Sequence, residues 1–252
     1  MKKITIIGGC GVIGRLLTEG LSKEYDITII DMSTCHLDVK YQQADATDEK
    51  ALLHAIPNDT DVLIHLLNMK LKHDVMDGEE FMKMNDVFLK STYYMYRAAS
   101  ELGIQKVIFA SSNHVTDRYE KDGHSLLRRE ITTEDVPSSK SVYGILKFAS
   151  EQLGYLFHER EHISVINLRI GTVVTDELDE LHEKDRTKRT LLSHEDLLAI
   201  TKAAIESEVL FGTYYAVSDN LNKPWSTEKA KRELGYAPYK STDELLEEHD
   251  ET

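Results

Sequence analysis

Ile4-Thr5-Ile6-Ile7-Gly8-Gly9-Cys10-Gly11-Val12-Ile13-Gly14 stands at the head of the chain, and a second apolar run, Ile27-Thr28-Ile29-Ile30, ends in Asp31. The first stretch joins a short β-branched strand to a helix through a glycine-rich turn, the pattern of a phosphate-cradling βαβ unit. Gly8 makes the turn, Gly11 lets backbone approach a pyrophosphate, and Gly14 lets the helix pack closely on the strand. The pyrophosphate then sits at the positive end of that helix, where unpaired N–H groups point outward. Asp31 is spaced to accept hydrogen bonds from the hydroxyls of an adenosine ribose. Its charge repels a 2′-phosphate and Met32-Ser33-Thr34 offers no arginine to attract one, so the expected cofactor is NAD rather than NADP.

The rest of the chain extends the same alternation. Nearly continuous apolar runs at Ile4 to Ile7, Ile27 to Ile30, Val62 to Leu67, Lys106 to Ala110 and Ser164 to Ile170 read as strands covered on both faces. Helical stretches fall between them at 13–23, 47–55, 79–101 and 141–160. Right-handed crossovers then give an α/β fold, a doubly wound parallel sheet of the Rossmann type. Residues 1–173 are expected to form the dinucleotide-binding domain and 174–252 a smaller substrate-binding part that partly completes the core. The polar stretch 174–190 between them reads as a mobile loop, and the acidic run Asp243 to Glu248 as a solvated last helix.

Composition narrows the function classes. With 252 residues, 41% hydrophobic and 29% charged, the chain is long enough for a substantial core and has the balance of a soluble globular protein. A net charge of −14 argues against a nucleic acid or an anionic membrane as partner. The first apolar run is too short for a signal peptide, and none approaches the roughly 18 residues of a membrane span. Cys10 and Cys35 show neither a disulfide framework nor metal-ligand spacing, and the histidines show none, which points to a reducing, cytoplasmic location without a metal.

The chemistry is carried by Ser111-Ser112-Asn113-His114 after the fourth of these strands, and by Tyr143-Gly144-Ile145-Leu146-Lys147 at the head of a helix. Residues four apart share a helix face, so the Lys147 ammonium lies beside the Tyr143 phenol. A free tyrosine, with pKa near 10, is a poor base at neutral pH; a neighbouring cation, helped by an oxidised nicotinamide, stabilises the phenolate. Tyr143 then serves as general base, while Ser112 bonds and aligns the reacting oxygen. A second copy of the spacing, Tyr236-Ala237-Pro238-Tyr239-Lys240, contains a proline and follows no serine-bearing strand, so it reads as a structural turn.

These residues resemble the extended short-chain dehydrogenases/reductases almost end to end. They are most similar to the uronate dehydrogenase group through Phe109-Ala110-Ser111-Ser112-Asn113-His114-Val115, Tyr143 to Lys147, Asn167-Leu168-Arg169-Ile170-Gly171, Val217 to Asn220 and Arg232 to Pro238. The resemblance implies a catalytic triad of Ser112, Tyr143 and Lys147. It implies cofactor contacts at Gly8, Gly11, Val12, Ile13, Gly14, Asp31, Asp45, Ala46, Leu66 and Ile170, with Tyr143 and Lys147. Sugar contacts fall on Ser112, Asn113, His114 and Thr172, and Arg186 matches the arginine that binds a uronate carboxylate, although Lys184, Lys188 and Arg189 crowd the same stretch.

Three positions depart from the pattern. Leu67 follows His65-Leu66 where small residues are usual, Lys70 replaces a uronate-binding serine, and Phe88 stands at the customary asparagine, with Asn85 one turn earlier. Lys70 beside the Arg186 stretch would suit a more anionic sugar, such as a phosphorylated one. The reading is an NAD-dependent dehydrogenase that oxidises the anomeric carbon of an anionic aldose, a hexuronate or sugar phosphate, to a lactone. A nucleotide-sugar epimerase or dehydratase shares the same catalytic residues, and a non-catalytic NAD-binding regulator is the reading in which Leu67, Phe88 and the charged insert 117–136 block turnover. The family commonly pairs the helices at 79–101 and 141–160 between subunits, so a homodimer is expected.

Overall fold

The computed structural model describes residues 1–72 and 74–250, the last three of these by backbone alone. Its first half runs β1 (Lys3–Ile7), α1 (Val12–Leu21), β2 (Asp26–Asp31), β3 (Lys40–Gln43), α2 (Glu49–Ala55), β4 (Val62–His65) and α3 (Gly78–Met84). A π-helical turn (Asn85–Lys90) leads into α4 (Ser91–Leu102), β5 (Lys106–Ser112) and a 3₁₀ stretch (Asn113–Tyr119). The short strands β6 (Glu120–Lys121) and β7 (His124–Ser125) precede α5 (Val142–Glu161) and β8 (Ser164–Ile170). The chain then forms α6 (Glu177–Glu183), α7 (Thr187–Thr190), α8 (His194–Glu206), β9 (Phe211–Ala216), α9 (Glu228–Leu234) and α10 (Thr242–Asp250).

Seven strands form one sheet in the order β3-β2-β1-β4-β5-β8-β9, every neighbouring pair parallel. Successive side chains of a strand point to opposite faces. Ile6 therefore packs with Leu17, Leu21, Leu197 and Ile200 on one face, and Ile7 with Leu63, Met95 and Ala99 on the other. The strand order reverses between β1 and β4, which places the ligand crevice of a doubly wound sheet at their carboxyl ends.

The parallel sheet and its five expected strands are present, and two further strands lie at its edges. β3 is mostly exposed and has no apolar run to mark it, and Gly212 and Thr213 interrupt the apolar pattern of β9. The expected helix at 79–101 is divided by the π-helical turn. The stretch 174–190 is not a loop throughout: it contains α6 and α7, which bury Leu181, Thr187 and Thr190. The acidic tail is helical in α10, with the side chains of residues 248–250 outside the described ones.

The two cysteines, expected to be unpaired, are not. Cys10 and Cys35 are joined by a disulfide with Cα atoms 5.6 Å apart. Their separation of 25 residues carries no signature, because only the β1–β2 pairing, Ile7 opposite Ile30, brings the two loops together. The pair therefore gives no support to a reducing compartment. Among the described residues no helix is long and apolar enough to cross a membrane, and no group of three His, Cys, Asp or Glu side chains is placed to hold a metal ion.

Candidate active site

A cavity of 360 Å³ lies over the carboxyl ends of β1, β2 and β4 and is walled by Gly8, Gly11, Asp31, Asp45, Ala46 and Leu66 among others. Gly11 is the N-cap of α1 and brings no side chain to its first-turn N–H groups. A Cβ on Gly14 would lie 2.5 Å from the Gly9 carbonyl oxygen, so only glycine lets the helix meet the turn this closely. The Asp31 carboxylate is oriented by two backbone donors, Cys10 N at 3.0 Å and Ser33 N at 2.9 Å. Asp45 accepts from Thr47 N at 2.8 Å and Thr47 Oγ1 at 2.7 Å. Val12 is exposed at the start of α1, while Ile13, Leu66 and Ile170 meet around one small apolar void. A bare helix start, a glycine cradle and a carboxylate at the end of β2 fit a dinucleotide with an unphosphorylated adenosine ribose.

A second cavity, of 370 Å³, adjoins the first at Asn68 and is walled by Ser112, Asn113, His114, Tyr143, Thr172 and Arg186. Ser112 ends β5 and its Oγ caps the 3₁₀ stretch by accepting from His114 N at 3.2 Å. Tyr143 sits in the first turn of α5, whose start is capped by Ser141 Oγ accepting from Gly144 N at 3.2 Å. A Cβ on Gly144 would come within 2.3 Å of the His114 carbonyl oxygen, so glycine is what allows α5 to press Tyr143 against the end of β5. The phenol is hydrogen-bonded to Ser112.

Lys147, one turn along α5, is fully buried and donates to the Ala110 carbonyl at 2.7 Å. Its Nζ lies 4.9 Å from the ring centre of Phe109, 5.2 Å from Phe88 and 5.8 Å from Tyr143. Burial lowers its pKa to about 7. The expected depression of the Tyr143 pKa is not present in this arrangement. Burial raises it, the Ser112 hydrogen bond only partly opposes that, and the ammonium is engaged by Ala110.

Phe88 is fully buried in the π-helical turn and meets the Tyr143 ring edge to face at 4.9 Å. Its carbonyl is taken by Thr92 Oγ1 and Ser150 Oγ, each at 2.7 Å. Two buried features escaped the sequence. His65 ends β4 with Nε2 3.1 Å from Ser91 Oγ and no partner for Nδ1; burial, then the Lys147 charge, lowers its pKa to about 3. Beneath the site, Arg169 pairs with Glu151 through Nε at 2.9 Å and Nη2 at 2.8 Å, and Ser111 donates to the same carboxylate. Arg169 Nη1 reaches the Tyr215 hydroxyl at 3.2 Å, which is 2.6 Å from Thr116 Oγ1. These contacts tie β5, α5, β8, β9 and the 3₁₀ stretch together.

The substrate candidates divide. Asn113 is buried with Oδ1 3.4 Å from Ser112 Oγ, and His114 Nδ1 is 3.0 Å from Asp117 Oδ2. Thr172 Oγ1 is 2.8 Å from Thr190 Oγ1. Arg186 walls the cavity but is already bound to Glu120 by two contacts of 3.1 Å. Lys70 is exposed and walls neither cavity. Tyr236 of the second Tyr-x-x-x-Lys copy lies in the hydrophobic core, outside any helix.

The chain is 61% identical over 252 residues to the uncharacterised protein YtbQ of Bacillus subtilis, covering 99% of each. It is 27% identical to the NAD-dependent glucose-6-phosphate dehydrogenase of Haloferax volcanii, over 97% of this chain and 95% of the relative. Its fold matches a crystal structure of uronate dehydrogenase from Agrobacterium tumefaciens with a TM-score of 0.83 at 21% identity, covering 100% of this chain and 90% of the other. The model of the NAD dependent epimerase/dehydratase family matches residues 4–237. With its glycine cradle, Asp31 and the Ser112, Tyr143 and Lys147 cluster, this chain belongs to that family and its cofactor is NAD.

Proposed function

We propose that the protein oxidises the anomeric carbon of an anionic aldose, a hexuronate or a sugar phosphate, to the lactone. The observation that carries this reading is the convergence of Ser112, Asn113 and Tyr143 on one cavity that opens beside the dinucleotide groove. Bound NAD supplies the hydride acceptor and, when oxidised, a positive charge beside the site. Tyr143 Oη takes the proton of the anomeric hydroxyl, Ser112 Oγ holds the same oxygen, and the phenolate would draw its stabilising charge from oxidised NAD together with Lys147 one turn along α5. Arg186 supplies a guanidinium to the acid group of the sugar, at the wall that residues 174–252 contribute. A relative that acts on glucose 6-phosphate supports an anionic aldose.

The test is NADH formation from NAD with galacturonate, glucuronate or glucose 6-phosphate. Turnover of at least one, reduced by about a thousandfold or more in Tyr143→Phe, is the expected result. NAD binding without turnover of any of the three would turn the assignment to nucleotide sugars or to a regulatory role.

A further inference from the structure

We propose that Glu120 sets the substrate charge this cavity accepts: by holding Arg186 and cancelling its charge, it makes the site take the singly charged carboxylate of a hexuronate in preference to a doubly charged sugar phosphate. This rests on the sugar dehydrogenase reading and narrows it.

Histidine aside, Arg186 is the only ionisable cation in the cavity wall among the described residues. Its Nε meets Glu120 Oε1 at 3.1 Å and its Nη2 meets Glu120 Oε2 at 3.1 Å, so one edge of the guanidinium is filled. The Nη1 end keeps its donors, which is one edge for one planar carboxylate. Glu120 is 4% exposed, so little water competes with Arg186 for its carboxylate. Its remaining side-chain partner is Gly123 N, donating to Oε1 at 2.6 Å.

The clamp is built into the charged insert. β6 and β7 form a hairpin turned at Asp122 and Gly123, whose φ values are +51° and +81°, and the Asp-Gly pair is what such a two-residue turn requires. A Cβ on Gly123 would lie 3.1 Å from the Arg186 carbonyl oxygen and 3.2 Å from Arg189 Cβ, so the hairpin tip presses on α7. Lys140 Nζ fixes the Glu120 carbonyl at 2.7 Å.

Among the described residues the cations around α7 are engaged, and Lys70, exposed between the wall residues Met69 and Leu71, does not itself line the cavity. Lys184 is paired with Glu180 at 2.8 Å, Lys188 with Asp185 at 2.9 Å, and Arg189 donates to the Asp185 carbonyl at 3.0 Å. Together Arg186 and Glu120 present a donor edge with no net charge. A carboxylate satisfies that edge, whereas a phosphate, with a second pKa near 6, brings about one further negative charge at neutral pH and, histidine aside, meets no second cation in the described wall to balance it.

Calorimetry on the NADH-loaded protein, where no turnover occurs, tests this with glucuronate, glucose 6-phosphate and glucose as probes. The parent should bind glucuronate at least tenfold tighter than glucose 6-phosphate. Glu120→Gln should bring that ratio to within about threefold by tightening glucose 6-phosphate, with glucose unchanged within twofold. In an Arg186→Met background the Glu120→Gln change should have no effect on the ratio, which separates a role exerted through Arg186 from a general loss of structure. A parent that binds the phosphate as well as the uronate, or binds neither, overturns the proposal, and so does a ratio unmoved by Glu120→Gln or moved equally without Arg186. Failure of every aldose to yield NADH would overturn the dehydrogenase reading instead, while the binding ratios still judge Glu120.

Discussion

His65 shows how far one side chain's environment can govern the molecule. Its ring is fully buried between β4 and the start of α4 with a pKa of about 3, while an unfolded chain protonates it near its ordinary value of about 6.5. Between those values the unfolded state binds the extra proton, so unfolding free energy rises with pH there. The contribution is complete above pH 6.5 and is lost as pH falls toward 3. Urea midpoints measured from pH 7 to 4 should fall more steeply for the parent than for His65→Gln; parallel curves would show that His65 is not the source. At Gly144 the constraint is steric. A Cβ 2.3 Å from the His114 carbonyl oxygen forces the first turn of α5 outward, and if Tyr143 is the base Gly144→Ala should lower kcat at least tenfold, since misplacing such a group by an ångström costs that much or more. That Ser112, Tyr143 and Lys147 lie close together was legible in the sequence, because a strand end and a helix repeat fix their spacing. Glu120 was not, because its partner Arg186 lies 66 positions away, and His65 was not, because Ser91 meets it only after β4 and α4 pack.

Among elements, the turn after β1 and the loop after β2 behave as one unit. The Cys10–Cys35 disulfide joins them, and Asp31 between them is held by Cys10 N and Ser33 N. Closing a loop of this size restricts the unfolded chain by about 3 kcal/mol. Cys35→Ser should therefore lower stability by roughly that amount, and a reductant should lower the denaturation midpoint of the parent but not of the variant. NADH affinity, followed by fluorescence, should weaken in the same direction as the Asp31 cradle loosens. A parent indifferent to reductant would mean that the bond does not form in solution. Strands with continuous apolar runs were readable in sequence because both their faces are covered. β3, α6 and α7 were not, because their polar residues face water and only single positions such as Leu181 and Thr190 reach the interior. The cysteine pair was hidden for a different reason: strand pairing, not sequence spacing, makes the two neighbours.

For the whole molecule, α4 and α5 pack side by side and leave Tyr93, Tyr155 and Leu156 at least 40% exposed. If these exposed side chains pair two copies of the chain, sedimentation gives twice the chain mass and Tyr93→Glu with Leu156→Glu gives the single-chain mass; a parent mass that stays single at every concentration would rule the homodimer out. The sheet itself was foreseeable from its first βαβ unit, since one right-handed crossover dictates the next. Its last strand was not, and that has a temporal consequence. β9 pairs with β8 from Val165 to Ile170, yet about 40 residues separate Ile170 from Phe211. On a ribosome adding roughly 5 to 20 residues each second, the edge of β8 stays bare for roughly 2 to 8 seconds. During that interval the edge of β8 has no partner from its own chain, so a strand from a neighbouring polypeptide can compete with β9, and slower translation lengthens the time in which it can do so.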